Sequence, residues 1–158
     1  MWYTTCESPL GRLTLTSGGD ALTGLYLPQS RYRPAPAAPA PALPVFLETE
    51  AWLDAYFDGR LLPLPRLAPG GTPFQQRVWQ MLLTIPLGQT CSYGQIACAC
   101  FGRPVGAQAV GQAVGRNPVA ILIPCHRVLG ADGSLTGYGG GAAAKRWLLQ
   151  HEAADFPL

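Results

Sequence analysis

The chain has 158 residues, 48% of them hydrophobic and 13% charged, with a net charge of +2, a balance that supports a packed core and excludes a chain too polar to fold. The longest apolar run, 119–123, is far short of the ~20 residues a membrane span needs, and MWYTTCESPL lacks the basic start and apolar centre of a signal peptide. Charge is uneven: residues 1–71 carry five Arg against six acids (−1), and 72–158 carry six Lys or Arg against three (+3), so a polyanion should prefer the C-terminal half.

Five cysteines, at 6, 91, 98, 100 and 125, include no CxxC pair, so free thiols in a reducing, cytoplasmic setting fit better than a disulfide framework. With no HxxxH either, neither a metal site nor a cofactor is expected, nor any membrane partner.

In chain order, RLTLTS alternates Leu13 and Leu15 inward, SPLG and SGGD supply turns, and ALTGLYL follows, so 2–27 reads as an antiparallel meander. Residues 28–44 contain six prolines, a composition expected to give an extended, poorly ordered loop. Over 45–57, Phe46, Leu53 and Phe57 fall near one helical face with Trp52 and Tyr56 flanking, so an amphipathic helix can cover the sheet. LPLPRLAPGG then reads as a linker between a domain at 1–71 and a second at 72–158.

The second unit opens at Thr72-Pro73-Phe74-Gln75, a capping box with Pro in the first turn, and Phe74, Val78 and Leu82 form the apolar stripe. Ser92 and Gln95 form another capping box, opening a helix to about Cys100; after the Phe101-Gly102-Arg103 turn, Pro104 should start a third helix, VGAQAVGQAVG. Two helices joined by a short Gly-containing turn make a helix-turn-helix candidate. The third has glycines at 106 and 111 where each costs ~1 kcal/mol relative to Ala, so a neighbouring helix or a DNA backbone should approach closely. VAILI reads as a buried strand ended by Pro124, 130–133 as a turn, Tyr138 to Gly141 as a flexible loop, and AAAKRWLLQHE as a final helix stacking Ala144, Leu148 and His151.

A lone Cys beside an apolar run is commonly inert packing. Around Cys125, however, Pro124 breaks the chain, His126 and Arg127 add polar groups that would favour a thiolate, and a Gly-rich loop downstream offers backbone N–H donors. His126 and His151 are the two histidines available as bases. A thiol of ordinary pKa ~8.5 is only a few per cent ionised at neutral pH, so a nucleophile needs such help.

GTPFQQRVWQMLLTIPLGQTCSYGQIA, AVGQAVGRNPVAILIPCHRVLG and GYGGGAAAKRWLLQHE together resemble the O6-alkylguanine-DNA alkyltransferase family across 72–158, and WYTTCESPLGRLTLT with AYFDG resembles its N-terminal domain. The resemblance implies an α/β, ribonuclease H-like N-terminal domain of antiparallel sheet plus helix. A mainly α, winged-helix-like C-terminal domain with a helix-turn-helix would follow. It implies a single-turnover DNA repair protein that flips O6-alkylguanine, with O4-alkylthymine a second candidate substrate, and moves the alkyl group onto its own Cys125. His126 would take the thiol proton through a water, Glu152 would hold His126, Asn117 would brace the turn, and Tyr93 would bond the guanine and return a proton. The carbonyls of Cys125 and Val128 would read the exocyclic amine, Tyr138 and Gly139 would close the pocket, and Val114 would line it beside Ala120. Ala107, Gln108, Ala109, Gly111, Gln112 and Arg116 would meet double-stranded DNA in the minor groove, as a monomer or in cooperative assemblies. Gln108 departs from the family pattern, which has an Arg there to fill the gap left by the flipped base. A lesion sensor that binds without repair and a Cys-dependent hydrolase are the rival readings.

Overall fold

A computed structural model describes residues 1–31, 37–103, 106–135, 138 and 140–156. Strands β1 (Trp2–Ser8), β2 (Gly11–Ser17) and β3 (Leu22–Tyr26) form the expected antiparallel meander, with Leu13, Leu15, Leu22 and Leu25 turned into the core. A fourth strand, β4 (Ala38–Pro39), runs parallel to β1 and gives the sheet the order β3-β2-β1-β4. This corrects the expectation of a wholly irregular Pro-rich loop. The Ala38 and Ala40 N–H groups, which a Pro would lack, donate to Met1 and Tyr3 carbonyls, so alternating Ala with Pro leaves enough donors for an edge strand. Residues 32–36 of that loop lie outside the described residues.

Helix α1 (Pro44–Phe57) starts one residue earlier than the sequence implies and covers the sheet. Its buried face is wider than the predicted one: Phe46 and Leu53 are inside as expected, Trp52 and Tyr56 are buried rather than flanking, and Phe57 is only partly covered. The segment after α1 is more than a linker. Leu22 N–H donates to the Arg66 carbonyl at 2.8 Å and Ala68 N–H to the Leu22 carbonyl at 2.8 Å, so 66–68 lies along the free edge of β3. Further along the same edge Leu25 bonds Pro118 and Ala120, which docks the chain just before Cys125 against the N-terminal sheet.

Helices α2 (Pro73–Leu82) and α3 (Tyr93–Phe101) begin with the two capping boxes predicted from Thr72/Gln75 and Ser92/Gln95. Val78 and Leu82 are buried, but Phe74 is 37% exposed and stacks on Phe101 at 5.3 Å; Trp79 takes the core position and donates its indole N–H to the Ala113 carbonyl at 2.8 Å. Helix α4 (Ala107–Gly115) starts later than Pro104, and Pro104 and Val105 lie outside the described residues. Gly106 is its N-cap at φ +93°, so it adopts a left-handed conformation rather than diluting the helix interior.

The VAILI segment is buried but is not a strand. Val119 makes one bridge to Leu25, the chain then turns, and Ile121 sits at φ +72°, a region costly for a β-branched side chain. A 3-10 turn at Cys125–Arg127 leads into β6 (Val128–Leu129), which pairs parallel with β5 (Cys91–Ser92). Helix α5 (Ala142–Ala154) buries Lys145, Leu148, His151 and Glu152, while Ala144 is half-buried. Among the described residues, no helix is long and apolar enough to cross a membrane.

Trp79→Phe removes the indole N–H bond to the Ala113 carbonyl and leaves a small void where the five-membered ring packed, so denaturant unfolding should show a loss of ~1–3 kcal/mol. Phe74→Ala, which strips an exposed stack, should lose no more than ~1 kcal/mol in the same measurement.

Candidate active site around Cys125

The turn that presents Cys125 is built by one side chain. Asn117 accepts from Val119 N–H at 3.0 Å and donates to the carbonyls of Val119 at 3.3 Å and Ile123 at 2.8 Å, closing residues 117–123 into a compact loop. The same amide hydrogen-bonds the Cys125 sulfur, and Cys125 N–H donates to Ile123 at 2.8 Å. Cys125 is therefore held at the start of the 3-10 turn with 6% of its surface exposed. Burial pushes its thiol up to about 11, against the hydrogen bond from Asn117 and the nearby Lys145 charge, which lower it. Cys125 is therefore protonated at neutral pH, and the expectation that its neighbours favour a resting thiolate is corrected.

The physical reason lies in where those neighbours point. His126 is fully buried, and its Nε2 pairs with Glu152 Oε2 at 2.6 Å. Arg127 turns away from the sulfur, its Nε reaching Glu152 Oε1 at 2.7 Å, Nη2 reaching Oε2 at 3.1 Å and Nη1 the Ile85 carbonyl at 2.8 Å. Tyr56 in α1 adds a fourth donor, its hydroxyl 2.7 Å from Oε2. Although burial alone would raise the Glu152 carboxyl, the hydrogen bonds of His126 and Arg127 and the Arg127 charge bring it down to about 2. The His126 pKa is lowered as well, by burial that outweighs Glu152 beside it, so the imidazole is neutral at rest. Its Nδ1 is buried without a hydrogen-bonding partner in the protein. The other histidine, His151, serves the domain contact, bonding the Tyr56 carbonyl at 2.7 Å and Asp155 at 2.6 Å.

Lys145, which the sequence reading passed over, is buried in this site and donates its Nζ to the Val128 carbonyl at 2.5 Å. Its spacing was the available signal: Lys145, Leu148 and Glu152 stand at i, i+3 and i+7 and so share one helical face. Lys145 also stands 6.0 Å from the Tyr93 ring, and burial lowers its pKa while Cys125 opposes the shift. Tyr93 packs between these groups and α4, since a Cβ on Gly111 would meet its ring at 3.6 Å. Burial, then Cys125, raises the Tyr93 phenol.

Tyr138 is buried, and its hydroxyl has no partner in the protein; burial and the proximity of Cys125 and Glu152 raise its pKa. A Cβ on the adjacent Gly140 would collide with Leu27 and the Tyr138 ring, so this loop is fitted against the N-terminal sheet. Gly139 lies outside the described residues. The Val128 carbonyl is already engaged by Lys145, and the Cys125 carbonyl accepts from Val128 N–H. Val114 is buried in α4 with Val110 and Ala113. The opposite face of α4 exposes Gln108, Ala109, Gln112 and Arg116, with Ala107 and Gly111 half-buried at its margin.

Residues 1–67 match the ribonuclease-like domain of 6-O-methylguanine DNA methyltransferase, and 73–154 match its DNA binding domain. A methylated-DNA–protein-cysteine methyltransferase of Mycobacterium tuberculosis is 49% identical over 98% of this chain and 94% of its own length. One from Haemophilus influenzae is 43% identical over 99% and 88%. The crystal structure of Mycobacterium tuberculosis OGT in complex with DNA superposes with a TM-score of 0.91 at 48% identity, covering 99% of this chain and 96% of that one. The ribonuclease-like α/β half, the DNA-binding helical half and the PCHRV turn between them thus agree with the resemblance read from sequence, and the chain belongs to the 6-O-methylguanine DNA methyltransferase family.

Proposed function

We infer that Cys125 is the acceptor to which this methylated-DNA–protein-cysteine methyltransferase moves the alkyl group of O6-alkylguanine in DNA. One observation carries the reading: the thiol braced by Asn117 is followed at once by a neutral, buried imidazole bonded at 2.6 Å to a buried carboxylate. That order of groups removes a proton from sulfur without leaving an uncompensated charge.

The step balances as follows. A water between Sγ and the unpartnered His126 Nδ1 passes the thiol proton to the imidazole, and Glu152 stabilises the imidazolium through Nε2. Sulfur then attacks the alkyl carbon in line, the S–C bond forms as the C–O6 bond breaks, and the bonding pair stays on the guanine. Tyr93 donates a proton to the departing base and recovers one afterwards. The product is a thioether with no electrophilic carbonyl, so one molecule repairs one lesion, which disfavours a hydrolase. The presence of the thiol disfavours a binding-only sensor. Val114 and Tyr138 line the pocket, and the Cys125 and Val128 carbonyls meet the base edge.

The α3–turn–α4 unit serves as a helix-turn-helix whose exposed α4 face enters the minor groove. Its small residues, Ala107, Ala109 and Gly111, suit close approach without base readout, and Arg116 supplies positive charge for the backbone. A protein that inspects every guanine gains from such sequence independence. Gln108 on this face can hydrogen-bond an orphaned base but carries no charge and stacks less well than a guanidinium. Five free thiols suit a reducing cytoplasm.

Incubated with an oligonucleotide carrying O6-methylguanine, the protein should gain the mass of one CH2 per chain, mapped by peptide mass spectrometry to Cys125. Cys125→Ser should show no gain; methyl removal by that variant, or repeated turnover by the native chain, would defeat the reading. Gln108→Arg should raise the repair rate on duplex DNA by roughly tenfold, equivalent to ~1.4 kcal/mol of the few that flipping costs. Its rate on single-stranded substrate should be unchanged, and equal duplex rates for the two proteins would contradict a role for Gln108. Lys145→Met, which removes the charge that lowers the thiol pKa, should slow transfer about tenfold per unit of upward shift, read as single-turnover rate at saturating DNA.

A further inference from the structure

Among the described residues, Tyr56 is the N-terminal side chain that hydrogen-bonds the Cys125–His126–Glu152 cluster. We propose that Tyr56 is a positioning residue of alkyl transfer: its hydroxyl, carried by α1, shares the Glu152 oxygen that holds His126 and so sets how strongly the imidazole takes the thiol proton.

Tyr56 Oη lies 2.7 Å from Oε2, and His126 Nε2 lies 2.6 Å from that same oxygen. Arg127 already neutralises the carboxylate through two nitrogens, so Tyr56 is not needed to pair the charge. What it adds is a second short bond on the oxygen facing His126. A donor there draws electron density from the oxygen, weakens its hold on the Nε2 proton and makes the imidazole less basic.

The hydroxyl is also precisely seated for this task by packing, not by local sequence alone. The Tyr56 ring stacks on Trp52 at 5.2 Å and meets Phe57, His151 and Phe156 edge-on or tilted at 5.1 to 5.5 Å, while His151 bonds its backbone carbonyl. The ring therefore has little freedom to carry its oxygen elsewhere. The groups acting on His126 are Glu152 and Lys145 from α5, Cys125 and Arg127 beside it, and Tyr56 from α1; Tyr138 stands near Cys125 and Glu152. Lys145 and Arg127 lower its basicity and Glu152 raises it. Tyr56 and Tyr138 remain neutral, because burial raises both phenols.

The proposal rests on His126 being the base for Cys125. Below its pKa, His126 is already protonated and cannot accept the thiol proton, so the acid limb of the transfer rate reports its titration. Tyr56→Phe removes one oxygen from a packed ring, which should raise the basicity of His126 and move that limb upward by roughly half a unit to one unit. The rate is measured on the active fraction, counted by methyl capture from excess oligonucleotide carrying O6-methylguanine. The His126 imidazole NMR signals should titrate at a correspondingly higher pH. Phe57→Leu, which disturbs the same aromatic cluster without touching Glu152, should lower Tm and leave the limb in place.

Should Tyr56→Phe not fold, the native protein labelled at the Tyr Cζ positions gives the answer: the Tyr56 signal should shift across the His126 titration. An unmoved limb in Tyr56→Phe, or a flat Tyr56 signal, refutes the role of Tyr56 while native methyl capture stands. If the native chain captures no methyl, the reading of Cys125 itself has failed.

Discussion

A single buried carboxylate organises the molecule. Glu152 is 1% exposed, and an isolated charge at that depth would be prohibitively costly, so its partners are obligatory. They come from two places in the chain, Tyr56 from α1 and His126 and Arg127 from the 3-10 turn, and meet Glu152 on α5. Satisfying one charge therefore fixes the α5 helix, the turn carrying Cys125 and the helix that covers the N-terminal sheet relative to one another. Arg127 extends the same network to the end of the α2 segment through the Ile85 carbonyl. The contact between the two halves and the His126–Glu152 pair beside Cys125 are one structure.

A second constraint acts on the backbone. The chain must turn sharply just before Cys125 to place the sulfur beside Tyr93 and Lys145, and the left-handed Ile121 marks where this is costly. Asn117 offsets that cost with three hydrogen bonds inside the loop, and the edge of β3 adds two more through Leu25. The N-terminal sheet thus supports the reactive turn from one side, and the Tyr56 helix supports its partners from the other. Gly140, packed against Leu27 and Tyr138, ties the remaining loop to the same sheet.

Much of this was legible in the sequence wherever the signal is local. The three strands follow from two-residue alternation around Leu13 and Leu15, and both capping boxes are spelled out by Thr72/Gln75 and Ser92/Gln95. The reactive cluster came from the resemblance carried by PCHRV and HE, and Cys125, His126 and Glu152 do converge. What escaped is what tertiary contacts decide. VAILI has the composition of a strand, yet an Asn side chain bonds its backbone and turns it into a loop. Phe74 fits the helical stripe, but Trp79, with an indole N–H to place, takes the core position beside α4. Arg127 sits next to the thiol in sequence and points to Glu152 in space, and Lys145 looks like a solvated charge although its helical spacing places it on the buried face. Tyr56 is separated from Glu152 by 96 positions, a distance no local pattern bridges.

The depth of the sulfur explains why the site needs this much support. A thiol held near 11 is a poor nucleophile at rest, and it is equally poor toward any electrophile or oxidant that drifts past. Reactivity then depends on removing the proton at the moment a carbon atom stands in line, and that requires a base whose own proton affinity is fixed by its surroundings. A neutral His126, backed by a carboxylate that Arg127 keeps ionised and Tyr56 orients, is placed for that role in the proposed transfer. In the single-turnover transfer proposed above, burying the thiol reserves its one reaction for an occupied pocket rather than for solvent.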